Sequence, residues 1–410
     1  MNYKDYFSET TLNMGSSMIR ELVASTKNIQ GLISFAGGFP SPKTFPKEEL
    51  SKIYAEVVAE EGTDVLQYGQ SEGDSILKKE FFRWEGYSDL QDDDALITVG
   101  ATNGIYYFSR ALLNPGDAIF CEAPSFLGSI VAFEAVGADI RCVSLDEEGL
   151  SLDELKAGIM QLKAEGKKAK FIYTIPDFQN PAGVTMSLAR RKALLELCAA
   201  EGIVILEDNP YARLRFSGEP LPSLYRLAKG MGLDIVMEII SFSKILGPGM
   251  RLAYAKGNKE LIAKMGSWQQ KVNVSPDCVT ERVVARYMQK GLLNPHIESI
   301  CDFYRPYLHS MLEALEKYMP ESVSWTRPEG GIFIWLWLPE QINADEMFHK
   351  ASQAKVSYIP GSKFYPKGQE KFNCLRLNFS FSSFEQIDKG IKSLAEIICS
   401  YGVCQARAFA

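Results

Sequence analysis

Between residues 95 and 241 short apolar runs alternate with longer segments in which apolar residues recur at helical spacing. Continuous apolar runs suit strands buried on both faces, and a 3.6-residue period suits helices laid over them. The pattern predicts strands at Ala95–Val99, Asp117–Cys121, Asp139–Ser144, Lys170–Ile175, Ile203–Leu206 and Val236–Ser241. It predicts helices at Ile105–Leu113, Leu127–Val136, Ser151–Glu165 and Leu188–Glu201, the third opened by a capping box of Ser151 and Glu154. Such alternation implies an α/β fold, a mainly parallel central sheet with helices on both faces.

The flanks read differently. Glu48–Glu61 and Ser75–Trp84 are amphipathic helices, and Ser16 or Ser17 caps a short helix over Ser17–Val23. Leu32–Pro46, with Gly37-Gly38 and Pro40, Pro42 and Pro46, reads as extended and irregular. Lys259–Gln289 is helical with a break near Pro276, and a long helix follows over Pro295–Tyr318. Strands at Val323–Trp325, Gly331–Leu338 and Cys374–Phe379 and a helix at Phe384–Tyr401 close the chain. We expect a large α/β domain over residues 48–294 and a smaller α+β domain formed by 1–47 with 295–410.

Composition narrows the classes. Of 410 residues, 46% are hydrophobic and 23% charged, as in a folded chain. The net charge of −7 and the lack of a Lys/Arg-rich run argue against nucleic acid or an anionic membrane as partner. The longest apolar run, Ile332–Leu338, is too short to span a bilayer, and MNYKDYFSET lacks the apolar core of a secretory signal. Eight cysteines without a C-x-x-C pair read as reduced, mostly buried thiols of a cytoplasmic protein. His296, His309 and His349 show no metal-ligand spacing, so no metal site is expected, and no Gly-x-Ser-x-Gly elbow supports a serine hydrolase.

Candidate chemistry collects at the strand ends, where ligands of open α/β sheets sit. Thr102, Asn180, Asp208, Tyr211 and Ser243 lie there, with Phe126. In Glu238–Ala255 an apolar run leads to Ser241-Phe242-Ser243-Lys244, a Gly-Pro-Gly turn and Arg251. A lysine between apolar strands is poorly solvated, so its amine is available to form a Schiff base with an aldehyde. Hydroxyls and an arginine beside it suit a phosphate. Together they suggest pyridoxal phosphate.

The stretches SFAGGFPSP, LQYGQSEG, EAPSFLGS, PDFQNPAG, EDNPYARLRF, SFSKILGPGMRLAY and LRLNFS closely resemble the class I/II aminotransferases, pyridoxal-phosphate enzymes of fold type I. Among these the chain is similar to the 2-aminoadipate/kynurenine subgroup. The resemblance implies that Lys244 forms the Schiff base and shuttles a proton, and that Asp208 keeps the pyridine nitrogen protonated. It places Asn180 and Tyr211 on the ring oxygen and Phe126 on the ring face, where relatives commonly have tyrosine. Ser241, Ser243, Arg251, Ala101 and Thr102 would hold the phosphate, joined by Tyr68 from the other subunit of a homodimer. Arg376 would anchor the substrate α-carboxylate, with Gly38 approaching through its backbone. Arg20 would meet a side-chain carboxylate or swing aside for apolar and aromatic side chains.

The expected activity is ping-pong amino transfer between an L-amino acid (2-aminoadipate, glutamate, leucine-like or aromatic) and a 2-oxo acid. The cofactor site alone leaves a β-lyase or decarboxylase open. A regulator carrying this fold behind a DNA-binding domain is disfavoured, because no basic domain precedes Met18.

Overall fold

The computed structural model of the protein describes residues 1–8, 11–12 and 29–403. The helix expected over Ser17–Val23, and Arg20 with it, lie outside the described residues. The chain runs through β1 (Ile33–Ser34), α1 (Lys47–Val65), α2 (Ser75–Glu85), β2 (Ala95–Thr98), α3 (Ala101–Leu112), β3 (Ala118–Ala123) and α4 (Leu127–Glu134). Next come β4 (Asp139–Asp146), β5 (Gly149–Leu150), α5 (Leu152–Ala164), β6 (Ala169–Thr174), α6 (Leu188–Glu201), β7 (Val204–Asn209), α7 (Leu224–Gly230), β8 (Val236–Ser241) and β9 (Ala253–Lys256). It continues through α8 (Lys259–Asn273), α9 (Cys278–Gln289), α10 (Leu293–Tyr318), β10 (Ser324–Trp325) and β11 (Phe333–Trp337). The last elements are α11 (Ala344–Gln353), β12 (Val356–Ser357), β13 (Ile359–Pro360), β14 (Cys374–Asn378) and α12 (Phe384–Ile398).

An eight-stranded sheet in the order β2-β9-β8-β7-β6-β3-β4-β5 forms the body. Pairing is parallel from β8 through β7, β6 and β3 to β4, and antiparallel at β9 and β5. The pleat divides the core in two. Phe171, Tyr173, Leu206 and Met237 face one apolar cluster, whereas Ile172, Ile205 and Val236 face the other. Helices cover both faces, which is why β3, β7 and β8 carry almost no exposed residue.

The second sheet is antiparallel in the order β10-β11-β14-β13. β1 pairs in parallel with β12, and the segment after it lies beside β14, where the Asn378 N–H donates to Phe35 O at 2.9 Å. Leu32–Pro46 is therefore not wholly irregular, since its start is a paired strand.

Several local expectations need correction. α3 starts at Ala101 rather than Ile105, so the glycine-rich turn is itself the first turn of the helix. The capping box of α5 is half formed: Ser151 accepts from Glu154 N, but the Glu154 carboxylate turns instead to Ser144 N and Oγ, at 2.8 and 2.6 Å. Cys399 is disulfide-bonded, against the expectation of reduced thiols throughout, whereas Cys121, Cys142, Cys198, Cys278, Cys301 and Cys374 are free. Among the described residues no helix is long and apolar enough to cross a membrane.

Candidate active site

β8 delivers the lysine. Lys244 closes a single 3₁₀ turn, Phe242–Lys244, directly after the strand, and Ser241 Oγ accepts from Ser243 N at 3.2 Å to hold that turn. Phe242 is buried against Phe81, with ring centroids 4.8 Å apart, so the turn is anchored from below. Lys244 Nζ donates to Gly38 O at 2.8 Å. Burial, with the nearby Arg376 and Arg251 cations, pushes its ammonium down to about 8.

β7 delivers the acid. Asp208 is buried, and one oxygen, Oδ2, accepts from the Tyr173 hydroxyl at 2.8 Å. The other, Oδ1, has no partner among the described residues. Burial pushes this carboxyl up to about 7, and the Tyr173 hydrogen bond opposes that shift. Tyr211 follows on the same strand end, its ring edge-on to Phe333 at 5.8 Å and centred 6.0 Å from Lys244 Nζ. Burial raises its phenol above the ordinary value, against the pull of Arg376.

Arg376 enters from β14. It is 4% exposed, and its guanidinium lies 4.1 Å from the Phe333 ring and 4.9 Å from Phe364. Nη1 donates to Asn180 Oδ1 at 3.1 Å and Nη2 to Ala36 O at 2.9 Å, while Nε has no partner among the described residues. No ion pair to a carboxylate forms among the described residues, so Arg376 is not half of a structural salt bridge. Burial lowers its guanidinium to about 10.

An anion cradle lies at the start of α3. Gly100 precedes the helix at φ 80° and ψ 160°, a conformation open to glycine almost alone, and no side chain caps the terminus. Helix N–H groups near Ala101 and Thr102 are thus free to meet an anion. A Cβ at Gly100 would lie 2.3 Å from Arg251 Nη2, so the missing side chain is what lets the guanidinium rest on the turn. Arg251 itself has φ 50°, with Nη1 on Pro248 O at 3.3 Å and Nη2 on Val99 O at 3.4 Å. Phe126 opens α4, and a Cβ at Gly128 would meet its ring at 2.5 Å.

The structure therefore brings Gly38, Asn180, Tyr211, Lys244 and Arg376 into one cleft, with Asp208 beneath and the Arg251 cradle beside it. Tyr68 stands apart. It is 81% exposed, and within the single chain its ring meets none of these residues among those described. Sequence reasoning missed Tyr173, Glu122, Gln179, Phe333 and Phe364. Tyr173 was in principle legible, because it shares the Asp208 face of neighbouring strands: it pairs with Leu206, two residues before Asp208. Glu122 binds Thr174 Oγ1, Ile175 N at 3.0 Å and Gln179 Nε2 at 3.2 Å, which pins the loop that carries Asn180.

The group these residues fit is pyridoxal phosphate. The unpartnered Asp208 Oδ1 suits a protonated ring nitrogen, the uncapped α3 terminus suits a phosphate, and the desolvated Lys244 amine suits an aldehyde.

Comparison with known proteins agrees with this geometry. Residues 34–394 match the model of the family "Aminotransferase class I and II". An aromatic-amino-acid aminotransferase of Thermococcus litoralis is 40% identical, over 97% of this chain and 95% of its own length. A 2-aminoadipate transaminase of Thermus thermophilus is 34% identical, over 97% and 98%. A kynurenine aminotransferase of Pyrococcus horikoshii, solved with PMP, superposes with a TM-score of 0.93 at 38% identity, over 98% of this chain and 99% of its own. The protein belongs to the class I and II aminotransferases.

Proposed function

We propose that the protein is a pyridoxal-phosphate aminotransferase that exchanges the amino group of an L-amino acid with a 2-oxo acid by a ping-pong mechanism, using the residues of this cleft. One observation carries the assignment of roles. The Lys244 amine and the Arg376 guanidinium bind carbonyls only two residues apart, Gly38 O and Ala36 O. A nucleophilic amine and a carboxylate-recognising fork are thus set on one short stretch of backbone, the arrangement an α-amino acid needs.

When bound, pyridoxal phosphate supplies an aldehyde for the amine and a ring that withdraws electrons from the substrate Cα. Lys244 would hold it through Nζ, and the same amine would be the base that moves the proton at the substrate Cα. Asp208 Oδ1 holds the ring nitrogen. Asn180 and Tyr211 orient the ring oxygen, and Phe126 covers a ring face. Ser241, Ser243, Arg251 and the first N–H groups of α3, at Ala101 and Thr102, hold the phosphate. Arg376 grips the substrate carboxylate with two parallel hydrogen bonds. The strong desolvation of this pocket favours all of these contacts.

The relatives named above act on aromatic amino acids, 2-aminoadipate and kynurenine, which supports a broad range here: 2-aminoadipate or glutamate together with leucine-like or aromatic donors. Arg20 would answer side-chain carboxylates. Arg20→Ala should lower kcat/KM for dicarboxylic donors by roughly ten-fold, the value of one charged hydrogen bond, and leave leucine and phenylalanine unchanged. Equal losses for all donors would make Arg20 structural. We also propose a division into a large domain, residues 48–294, and a small one, 1–47 with 295–410.

The central test is an amino-donor screen of the purified protein with 2-oxoglutarate as acceptor, followed by borohydride reduction and peptide mapping. Amino transfer with reduced cofactor on Lys244 is expected. Cofactor on another lysine would overturn the assignment, and elimination or decarboxylation products in place of transfer would overturn the reaction.

A further inference from the structure

Resting on that reading, we propose that Tyr173 is a positioning residue for the cofactor: by donating to Asp208 Oδ2 it turns Oδ1 toward the ring nitrogen and keeps the carboxylate charged. Three observations lead there. Tyr173 and Asp208 lie on the same face of adjacent parallel strands, with Tyr173 opposite Leu206, so the phenol is directed to the carboxylate by sheet register. The phenol is itself fixed, its ring wholly buried and edge-on to Phe133 at 5.4 Å. The carboxylate then carries one satisfied oxygen and one empty one, both removed from solvent. A buried acceptor left empty is unusual and marks a missing donor. Without the phenol, rotation of the Asp208 carboxyl would exchange the two oxygens freely.

The contact extends to the ring-stacking residue. Ser129 Oγ lies beside the Tyr173 phenol, and its proton goes to Phe126 O at 2.7 Å. Asp208 and Tyr173 thus form one hydrogen-bonded pair, and Ser129 stands beside it on the Phe126 carbonyl. The titratable groups acting on Asp208 are Tyr173 on β6, Glu122 on β3 and Tyr211 beyond β7. Cys121 of β3 lies against Tyr173, while Lys244 and Arg376 face the cleft from the β8 turn and β14.

The role makes a signed prediction. A donor to the charged form lowers a carboxyl pKa, so losing it raises that pKa. The probe is 4-deoxypyridoxine phosphate, which keeps the ring nitrogen and phosphate but offers Lys244 no aldehyde, bound to cofactor-free protein and followed by fluorescence across pH. Affinity of the wild type should fall as pH drops through about 7, where Asp208 takes up its proton. In Tyr173→Phe that fall should move up by roughly one to two pH units, the span of one hydrogen bond to a charged group. An unchanged midpoint in Tyr173→Phe, or a loss of affinity equal at every pH, would overturn the proposal and leave the cofactor assignment standing. Failure of the wild type to bind the probe at any pH would sink both. If Tyr173→Phe does not fold, an unmoved midpoint in Tyr173→Met, which also lacks the donor, overturns the proposal alone.

Discussion

Among the described residues, Arg376 sits between two aromatic rings with only neutral acceptors, Ala36 O and Asn180 Oδ1, and an unpaired Nε. Holding a buried cation without a counter-charge is costly, and an incoming carboxylate removes that cost. Arg376→Ala should therefore raise KM for every amino donor by roughly 10- to 100-fold, the value of one charged hydrogen bond or more, with cofactor binding little changed. Steady-state kinetics with leucine and glutamate check this, and an effect on one donor only would contradict it. Lys244 gives a pH prediction at the same scale. Its ammonium is pushed down to about 8, so the reactive neutral amine is present above that pH and lost below it. The rate at which cofactor-free protein takes up pyridoxal phosphate should rise through pH 8, as stopped-flow absorbance would show. An ordinary exposed lysine, at about 10.4, would still be almost wholly protonated there. The residue chemistry of Lys244, Asp208 and Arg376 was legible in the sequence because short motifs carry it. What those residues bond to was not, since Gly38 meets Lys244 across more than half the chain.

At the level of elements, three neighbouring strands place Glu207, Glu238 and Lys256 in register on the sheet face opposite Asp208. Lys256 Nζ reaches Glu238 at 2.9 Å and Glu85 at 2.5 Å, and the Tyr87, Tyr225 and Tyr254 rings surround it. Glu207 instead accepts from Leu224 N at 3.0 Å and Tyr225 N at 2.9 Å, capping α7 from outside the helix. Asn209 Nδ2 donates to Glu238 Oε1 at 2.9 Å, so the strand end that carries Asp208 is tied to this charged row. Lys256→Met would leave two buried carboxylates uncompensated. It should cost about 3–5 kcal/mol of stability, read from the midpoint of chemical denaturation. A change under 1 kcal/mol would show that water reaches the row. Periodicity located most strands and helices in advance, because it is a local signal. It gave no strand direction for Ala253–Lys256 and missed α7 and α11, short helices whose apolar residues are few.

For the whole molecule, the outlying position of Tyr68 is the informative one. Leu66, Tyr68, Val272 and Val274 are 71%, 81%, 57% and 51% exposed, and the loop after α1 is joined to the residue that follows α8 by Ser71 Oγ to Val274 O at 2.7 Å. The end of α8 also touches α3, through Asn273 and Tyr107. An apolar surface of this kind beside a binding site suits a second copy of the chain. The active species should be a homodimer, with Tyr68 reaching the partner's phosphate site. Sedimentation with activity measured on dilution checks this, and a fully active monomer would contradict it. Periodicity and residue chemistry could not have shown why Tyr68 matters, because its proposed partner lies in another molecule; only the resemblance to a family assigned it.

The stretch Ala36–Gly38 has one further consequence. The amine comes from the large sheet and the guanidinium from the small one, yet both take their position from carbonyls on the same few atoms of main chain. Two residues of backbone can span at most about 7 Å, whatever the two sheets do. The segment thus acts as a gauge in the cofactor-free protein: while both hydrogen bonds hold, the two sheets can shift by small amounts in their packing, but the carbonyls that seat nucleophile and anchor stay within a length that bond geometry fixes.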